Sequence, residues 1–337
     1  MTLTADAQAM LLLCSHLGLP PQSDPAPLTL REWNLLARKL PGTPLARPGA
    51  LLGLTAAQLQ QALDLTGEEA GRLAHLLERG GVLAIELERL TSLGIWVTTR
   101  ADAGYPSRLR QRLKESAPAV LFGAGEPALP GQPGVAVVGS RHVDEAGQSA
   151  AEFVGNSCAL AGLVLYSGGA RGVDRIATQA ALEARGTAVG VLADNLERAI
   201  RVPETRAALA RGDLALLTPY TPNAGFSVGA AMGRNKLIYA LADYALIIAS
   251  EAGQGGTWAG ATEALRANWV PVFVLDGPDV PDGNRQLLQK GALPFPERVA
   301  GPSLTLREWL ETYAANAPPS PAQGRLFQLP ETPTGGV

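Results

Sequence analysis

The sequence has few of the residues that stabilise small secreted proteins or bind metal ions. Only two cysteines, Cys14 and Cys158, and three histidines, His16, His75 and His142, occur among its 337 residues. They lie far apart in the chain and form no spacing that is typical of metal ligands. We therefore expect neither a disulfide framework nor a metal site.

Basic charge and long apolar runs are also scarce. Lysine and arginine number 28 against 31 aspartate and glutamate, so nucleic-acid binding would need a local basic patch. No run approaches the roughly 18 consecutive apolar residues of a membrane-spanning helix. The first residues lack the basic start of a signal peptide. These features predict a cytoplasmic protein without a membrane partner.

Two nucleotide-binding fingerprints are missing. Gly139-Ser140-Arg141 follows an apolar run, but Arg141 and Asp144 stand where the G-x-G-x-x-G pattern requires glycine. The Gly-Lys-Ser/Thr end of a Walker A motif does not occur. A dinucleotide-binding protein and a P-loop NTPase are therefore disfavoured, and we expect no cofactor.

The chain does contain enough apolar sequence for a core, because 46% of its residues are hydrophobic. From Val135 onward, short apolar runs alternate with helical segments, which indicates a doubly wound parallel α/β sheet. Strands are predicted near 135–139, 163–167, 187–192, 213–217, 244–250 and 270–275, with helices between them.

The first 95 residues are predicted to be short helices joined by Pro and Gly. Thr29 and Glu32 have capping-box spacing at one helix start, and Thr305 with Glu308 repeats it near the end of the chain. The N-terminal segment is interpreted as a small helical bundle, with a DNA-binding helix-hairpin-helix or SAM-like module as the alternative.

Composition divides the chain further. The predicted parts are residues 1–95 (helical domain), 96–134 (a strand, the basic run Arg108, Arg110, Arg112 and Lys114, and a Pro/Gly-rich linker), 135–315 (the sheet domain) and 316–337 (a disordered tail). The basic run is interpreted as a solvated helix face, with a binding site as the alternative.

Two predicted strands end in loops of small residues that each carry an arginine. Val135–Val138 leads into Gly139-Ser140-Arg141, and the next strand leads into the segment from Ser167 to Asp174, which contains Arg171. Small residues let the backbone turn sharply and expose N–H groups. Because parallel strands end at one edge of a sheet, the two loops predict an anion site there. Asp174 is interpreted as a structural helix cap that also holds Arg171, rather than as a catalytic base.

A series of motifs in this order resembles the DprA/Smf DNA-processing family. The motifs are Val137-Val138-Gly139-Ser140-Arg141, Ser167-Gly168-Gly169-Ala170-Arg171-Gly172-Val173-Asp174, Gly233-Arg234-Asn235-Lys236-Leu237-Ile238, Gly283-Asn284 with Gly291-Ala292, and upstream Tyr105-Pro106 and Pro118–Gly123. The resemblance covers residues 95–295. It implies an extended Rossmann-like domain, usually dimeric, that binds single-stranded DNA without sequence preference and helps to load RecA, with no chemistry of its own.

The resemblance also implies a set of DNA-phosphate contacts. Cationic side chains would hold phosphates through charge-assisted hydrogen bonds, and glycines would let the strand approach. The implied residues are Gly139, Ser140, Arg141, Ser167, Gly168, Gly169, Arg171, Gly172, Arg234, Asn235, Lys236, Gly255, Gly256, Thr257, Asn284 and Lys290.

The sequence departs from the family pattern at several points. Gly255-Gly256-Thr257-Trp258 stands where Ser-Gly-Ser-Leu is usual, Thr178 replaces a histidine and Lys236 replaces an arginine. A short tail stands where a winged-helix domain usually follows. These departures indicate a divergent branch, for which DNA uptake and recombination are both open as the pathway.

Two other functions stay open. Gly253-Gln254-Gly255-Gly256-Thr257 distantly resembles the Pro-Gly-Gly-x-Gly-Thr-x-x-Glu motif of LOG-type nucleotide phosphoribohydrolases. The carboxylate of such a hydrolase is displaced here, because Gly260 stands at its position and Glu263 follows three residues later. A nucleotide sensor that binds its ligand without turnover is the other alternative.

The predicted tail contains a short apolar motif. Gln323, Leu326 and Phe327 have the Gln-x-x-Leu-Phe form of peptides that bind the bacterial sliding clamp. The clamp is therefore a candidate partner, with an incidental tail sequence as the alternative.

Overall fold

The computed structural model describes residues 3–20, 23–297 and 304–316. Helices alone form the described part up to residue 92, and strands alternate with helices from residue 95 onward. The predicted α/β fold class is therefore confirmed. The predicted disordered tail and its clamp motif, Gln323, Leu326 and Phe327, lie outside the described residues.

The fourteen α-helices and nine strands of the described residues are numbered in chain order. The helices are α1 Ala5–Cys14, α2 Leu30–Lys39, α3 Ala56–Leu63, α4 Gly67–Leu77, α5 Gly80–Ser92, α6 Ser107–Leu113, α7 Glu145–Leu160, α8 Val173–Glu183, α9 Leu196–Ala199, α10 Pro203–Arg211, α11 Val228–Leu241, α12 Gly255–Ala267, α13 Asp282–Gln289 and α14 Leu306–Ala315. The strands are β1 Ile95–Thr99, β2 Val120–Gly125, β3 Gly134–Val138, β4 Val164–Ser167, β5 Ala188–Val191, β6 Leu214–Thr218, β7 Tyr244–Ile247, β8 Val272–Asp276 and β9 Leu293–Pro296.

The chain folds into two compact units. The first unit comprises Met1–Gln132 and Ala188–Leu241. Its strands follow the order β1-β2-β6-β5, with antiparallel pairing of β2 to both β1 and β6 and parallel pairing of β5 to β6. The two units do not coincide with consecutive stretches of the chain, because β5, β6 and α11 belong to the first unit.

The second unit comprises the described residues of Pro133–Thr187 and Ala242–Val337 and contains an all-parallel sheet. Its strand order is β4-β3-β7-β8-β9. Within this unit β3 is the first strand in the chain. The next strand, β4, pairs with one side of β3, whereas β7, β8 and β9 are added on its other side, so the strand order reverses between β3 and β7. In such sheets ligands bind beyond the carboxyl ends of the strands at the reversal.

An aromatic cluster anchors the last helix of the second unit. The Trp309 ring on α14 lies 5.6 Å from the Phe273 ring on β8 and 5.1 Å from the Phe295 ring on β9, measured between centroids. Trp309 is buried, and each aromatic pair adds about 0.5–1.5 kcal/mol to the burial of apolar area. The cluster packs α14 against β8 and β9.

The predicted capping boxes are present at both helix starts. At α2, the Thr29 N–H donates to Glu32 Oε2 at 2.7 Å, and the Glu32 N–H donates to Thr29 Oγ1 at 3.3 Å. Thr305 and Glu308 repeat the arrangement at α14. Each box satisfies N–H groups that the first helical turn leaves without partners.

Substituting Glu32→Gln is expected to lower the free energy of unfolding by about 1 kcal/mol at pH 7. The Arg72 Nη1 lies 2.7 Å from Glu32 Oε1. Its hydrogen bond, assisted by Thr29, lowers the pKa of Glu32 to about 2. Because Glu32 is 39% exposed, water screens the pair and limits its contribution. Glutamine retains the capping box, so the substitution removes mainly the charge.

The effect of Glu32→Gln should depend on pH. Since folding lowers the pKa of Glu32, the ion pair stabilises the fold above the ordinary value of 4.5 and loses this contribution as the pH falls towards 2. Urea unfolding of parent and variant should therefore converge over this range. Glu308→Gln is the matched control, because Glu308 has the same capping box and no arginine partner among the described residues. Equal pH profiles for the two variants would contradict the prediction.

The basic run of α6 is used within the fold of the first unit. Arg108 donates to the carbonyl oxygens of Gly131 and Gln132, and Arg112 donates to that of Ala240 at 3.0 Å. Arg110 donates to the carbonyl of Asp102 at 3.1 Å. The three arginines thus link α6 to neighbouring backbone, in addition to forming a partly solvated face.

No helix within the described residues combines the length and the hydrophobicity that crossing a membrane requires.

Candidate nucleic-acid interface

The loop after β3 is held close to the start of α8. Gly139 is buried, and a Cβ at this position would lie 2.5 Å from the Val173 side chain. The Ser140 N–H donates to the Ala249 carbonyl at 2.9 Å, and the Ser140 carbonyl accepts from the Val173 N–H at 3.3 Å. Glycine is therefore required at 139, because the first residue of α8 packs directly on this loop.

The loop after β4 is closed by Asp174. Its Oδ2 accepts the Gly168 N–H at 3.0 Å, and Asp174 is 5% exposed. Gly172 occupies the N-cap position of α8, so no side chain caps this helix. Asp174 therefore closes the loop. Both parts of its interpretation are corrected: its carboxylate binds a loop N–H that precedes the helix instead of capping it, and it does not hold Arg171, which makes no hydrogen bond or ion pair among the described residues.

The two loops abut through their backbones. Gly172 has φ +78°, and a Cβ there would lie 2.7 Å from the Arg141 carbonyl oxygen. Arg141 and Arg171 are both exposed. Within the described part of the chain, neither side chain makes a hydrogen bond or an ion pair. Two neighbouring loops thus present cations that remain available to a ligand.

Gly255, Gly256 and Thr257 form the first turn of α12. The N-cap residue Gln254 makes no side-chain hydrogen bond to the helix. An N-terminus of this kind directs N–H groups and the positive end of the helix dipole outward, which favours anions. Since α12 follows β7, and β7 pairs with β3, this helix start lies at the same sheet edge as the Gly139–Arg141 loop.

The position of Glu263 bears on the hydrolase alternative. Glu263 is the ninth residue of α12, counted from Gly255. At 1.5 Å per residue, its backbone lies about 12 Å along the helix from the N-terminal amides. The structure therefore places this carboxylate more than two turns from the glycine-rich helix start.

Asn284 is committed to the interior of the second unit. Its Oδ1 accepts the Ser250 N–H at 2.8 Å, and its Nδ2 donates to the carbonyls of Ile248 at 2.9 Å and Leu275 at 3.0 Å. The residue is 0% exposed. These bonds tie the ends of β7 and β8 together. We therefore correct the expectation that Asn284 contacts a phosphate.

Lys290, the other predicted phosphate contact of this motif, remains exposed. Its Nζ lies 5.7 Å from the centroid of the Trp258 ring, which belongs to the first turn of α12. A cation over an aromatic face is held by the ring quadrupole. Lys290 is thus positioned beside α12 with its charge still accessible to solvent.

An acidic cavity lies at the reversal of strand order between β3 and β7. Its volume is about 150 Å³, and Ser140 and Ser250 contribute to its wall. Four carboxyl side chains also line it, together with His142: Asp144, Glu251, Asp279 and Glu297. Carboxylates repel phosphate, so a phosphate is favoured on the other side of the Gly139–Arg141 loop, towards Ser167–Gly172.

The Arg234-Asn235-Lys236 segment belongs to α11 of the first unit. Arg234 is 7% exposed, and its Nη1 donates to the Val191 carbonyl at the end of β5. This burial corrects the expectation that Arg234 holds a phosphate. Asn235 is half-buried, and Lys236 lines a cavity of the first unit.

Sequence reasoning missed Arg175 and Ser250. Arg175 is exposed in the first turn of α8 and has no hydrogen bond or ion pair among the described residues. The available signal was a basic residue directly after the Ala-Arg-Gly-Val-Asp motif. Ser250 is 1% exposed, and its Oγ finds no partner in the described structure. In the sequence, the two small residues Ala249 and Ser250 at the end of an apolar run could have indicated this position.

Together these features define a class of protein. It is a Rossmann-like α/β protein whose second unit exposes arginines and helix N-termini at the carboxyl edge of a parallel sheet. The chain belongs to the DNA recombination-mediator protein A family, whose model matches residues 96–299. This confirms the family resemblance and places the chain among DNA-processing proteins.

Solved structures agree with the fold. DNA processing protein A (DprA) from Streptococcus pneumoniae is 24% identical with a TM-score of 0.55, over 80% of this chain and 95% of that chain. The Helicobacter pylori protein, whose structure was determined for its unique single-stranded DNA binding mode, is 23% identical with a TM-score of 0.51, over 66% and 97%. At these identities the similarity establishes the fold. A comparison with curated protein sequences gave no match.

Proposed function

We propose that this protein binds single-stranded DNA without sequence preference, through the strand-end loops of its second unit. The observation that carries the proposal is the pair of abutting loops in which Arg141 and Arg171 are exposed and have no intramolecular partner among the described residues. Arginine binds phosphate oxygens through charge-assisted, often bidentate hydrogen bonds. Contacts to phosphates position a strand but do not read its bases.

The surrounding groups support the same ligand. Arg175, exposed in the first turn of α8, adds positive charge near Arg171. The start of α12 at Gly255–Thr257, with Lys290 beside it, adds a helix N-terminus and a further cation at the same sheet edge. The acidic cavity on the opposite side of the Gly139–Arg141 loop disfavours a strand there. We therefore place the phosphates that Arg141 and Arg171 bind on the side of the loop that faces Ser167–Gly172.

Family membership and the single-stranded DNA binding of the similar H. pylori protein support DNA as the source of the phosphates. We extend the proposal to loading of RecA on the bound strand, by a homodimer, during DNA uptake or recombination. The support for this extension is the family, which is described as a recombination mediator.

The experiment measures binding of a labelled oligothymidylate, a duplex of the same length and nucleoside monophosphates on one preparation, with an assay for released base. We expect tight single-strand binding, weaker duplex binding and no base release. Binding should fall steeply with salt, with a slope of log K against log salt of about −0.7 per phosphate contact. Release of base from a monophosphate would instead favour the hydrolase, and equal affinity for strand and duplex would contradict the proposal.

A further inference from the structure

The first unit contains a cavity of its own. Its volume is about 470 Å³, within the range of about 300–1,000 Å³ of small-molecule sites. The end of α1, the segment leading into β2 and the segment leading into α11 form its walls. Its lining includes His16, Phe122, Tyr220, Thr221, Ala224 and Lys236.

The charge of this lining favours an anion. Among the described residues that line the cavity, Lys236 carries the one permanent charge, His16 adds an imidazole, and aspartate and glutamate are absent. The Lys236 ammonium has no hydrogen bond or ion pair within the described residues. A half-buried cation without a counter-ion gains charge-assisted hydrogen bonds when an anion enters.

The rest of the lining favours a flat ligand with some polar edge atoms. Phe122 contributes apolar surface, and burial raises the pKa values of the Cys14 thiol and the Tyr220 phenol, in keeping with a dry wall. The Tyr220 hydroxyl donates to the Ala230 carbonyl at 2.8 Å, so its oxygen is left to accept a hydrogen bond. The Thr221 hydroxyl also lines the cavity. Such a lining suits a heterocycle better than a hydrocarbon.

We propose that this cavity binds a ligand composed of one phosphate group and one planar heterocycle, which is the chemistry of a nucleoside monophosphate. The phosphate pairs with Lys236, and the ring lies against the apolar wall that includes Phe122. This site is additional to the proposed DNA contacts, which lie on loops of the second unit. The wall formed by α1 also precedes residues 96–299, on which the family assignment rests. The ligand has two sources: a free nucleotide, or the terminal nucleotide of a DNA strand.

The test is calorimetry on the full-length protein. Adenosine, guanosine, cytidine and uridine 5′-monophosphates are each compared with the matching nucleoside and with inorganic phosphate. At least one monophosphate should bind about tenfold or more tightly than either of its parts. Lys236→Ala should weaken this binding about tenfold or more, and Lys236→Arg should retain most of it because the charge is kept.

Two further variants locate the ligand. Ala224→Phe places a ring in the cavity and should abolish monophosphate binding while leaving the melting temperature close to that of the parent. Lys39→Ala is the matched control, because Lys39 binds the Asp64 carbonyl and does not line the cavity. It should leave binding unchanged. A 5′-phosphorylated oligothymidylate that displaces the monophosphate assigns the cavity to a strand end, and simultaneous binding assigns it to a free nucleotide.

The double variant Arg141→Ala/Arg171→Ala separates this proposal from the proposed function. It should lose single-strand binding and retain the monophosphate. The inference is overturned if no monophosphate binds the folded protein. It is also overturned if binding survives both Lys236→Ala and Ala224→Phe but is lost in the double arginine variant.

Discussion

The double variant Arg141→Ala/Arg171→Ala is expected to bind a labelled oligothymidylate at least about 100-fold more weakly than the parent at low salt. Hydrogen bonds to charged groups contribute about 1.5–3 kcal/mol when protected from water. Exposure of both arginines reduces this to about tenfold per side chain, and removal of both multiplies the losses. Fluorescence anisotropy over a salt series measures the effect.

The salt dependence distinguishes phosphate contacts from a general loss of structure. Each lost contact should reduce the slope of log K against log salt by about 0.7 for a single strand, and the loss should be similar for different base sequences. Arg266→Ala is the control: Arg266 is exposed in the last turn of α12, and its removal changes the net charge as much as each of the two substitutions does. Unchanged slopes in the double variant, or an equal effect of Arg266→Ala, would contradict the assignment.

Replacing Asn284 should lower the free energy of unfolding without changing how the folded protein binds DNA. Asn284→Ala removes three hydrogen bonds and leaves the Ser250 N–H and the carbonyls of Ile248 and Leu275 without these partners in the interior. We expect a loss of about 3 kcal/mol in the free energy of unfolding, because each buried polar group left unsatisfied costs about 1–3 kcal/mol. Thermal and urea unfolding measure the loss.

The controls for Asn284→Ala use its neighbour and a second substitution at the site. Arg285→Ala should change stability by less than about 1 kcal/mol, because Arg285 is exposed and binds one carbonyl, that of Pro278. Asn284→Asp should also be strongly destabilising, because an aspartate oxygen would face two carbonyls that need a donor. If Asn284→Ala left stability unchanged but lowered the salt slope of DNA binding, Asn284 would be a phosphate contact after all.

Much of the fold was predictable because its signals are local. The strand near 163–167 is found at Val164–Ser167, and the strand near 213–217 at Leu214–Thr218. Short apolar runs of this kind can be recognised from neighbouring residues alone. The capping box of Thr29 and Glu32 was predictable for the same reason, since its bonds span three residues.

The candidate site was predictable only in part. The position of the two arginine-bearing loops could be predicted, because parallel strands end at the same edge of a sheet. Membership in a family motif, however, did not distinguish residues that contact a ligand from residues that stabilise the fold. Asn284 and Arg234 belong to the same motif series as Arg141, yet both are buried against carbonyls of distant strands. Those carbonyls are 36 and 43 residues away in sequence, respectively, so no local pattern indicates the contact.

The sequence by itself determined the α/β class, the helix caps and the two arginine-bearing loops, because each depends on backbone preferences within a few residues. Only the tertiary structure decided which side chains face solvent, since burial depends on packing between segments distant in the chain. It directs Arg141 and Arg171 outward, buries Arg234 and Asn284 in the interior, and places Lys236 in a cavity that no carboxylate of the described residues lines. It also groups Asp144, Glu251, Asp279 and Glu297 beside one face of the first loop, where their charge disfavours phosphate.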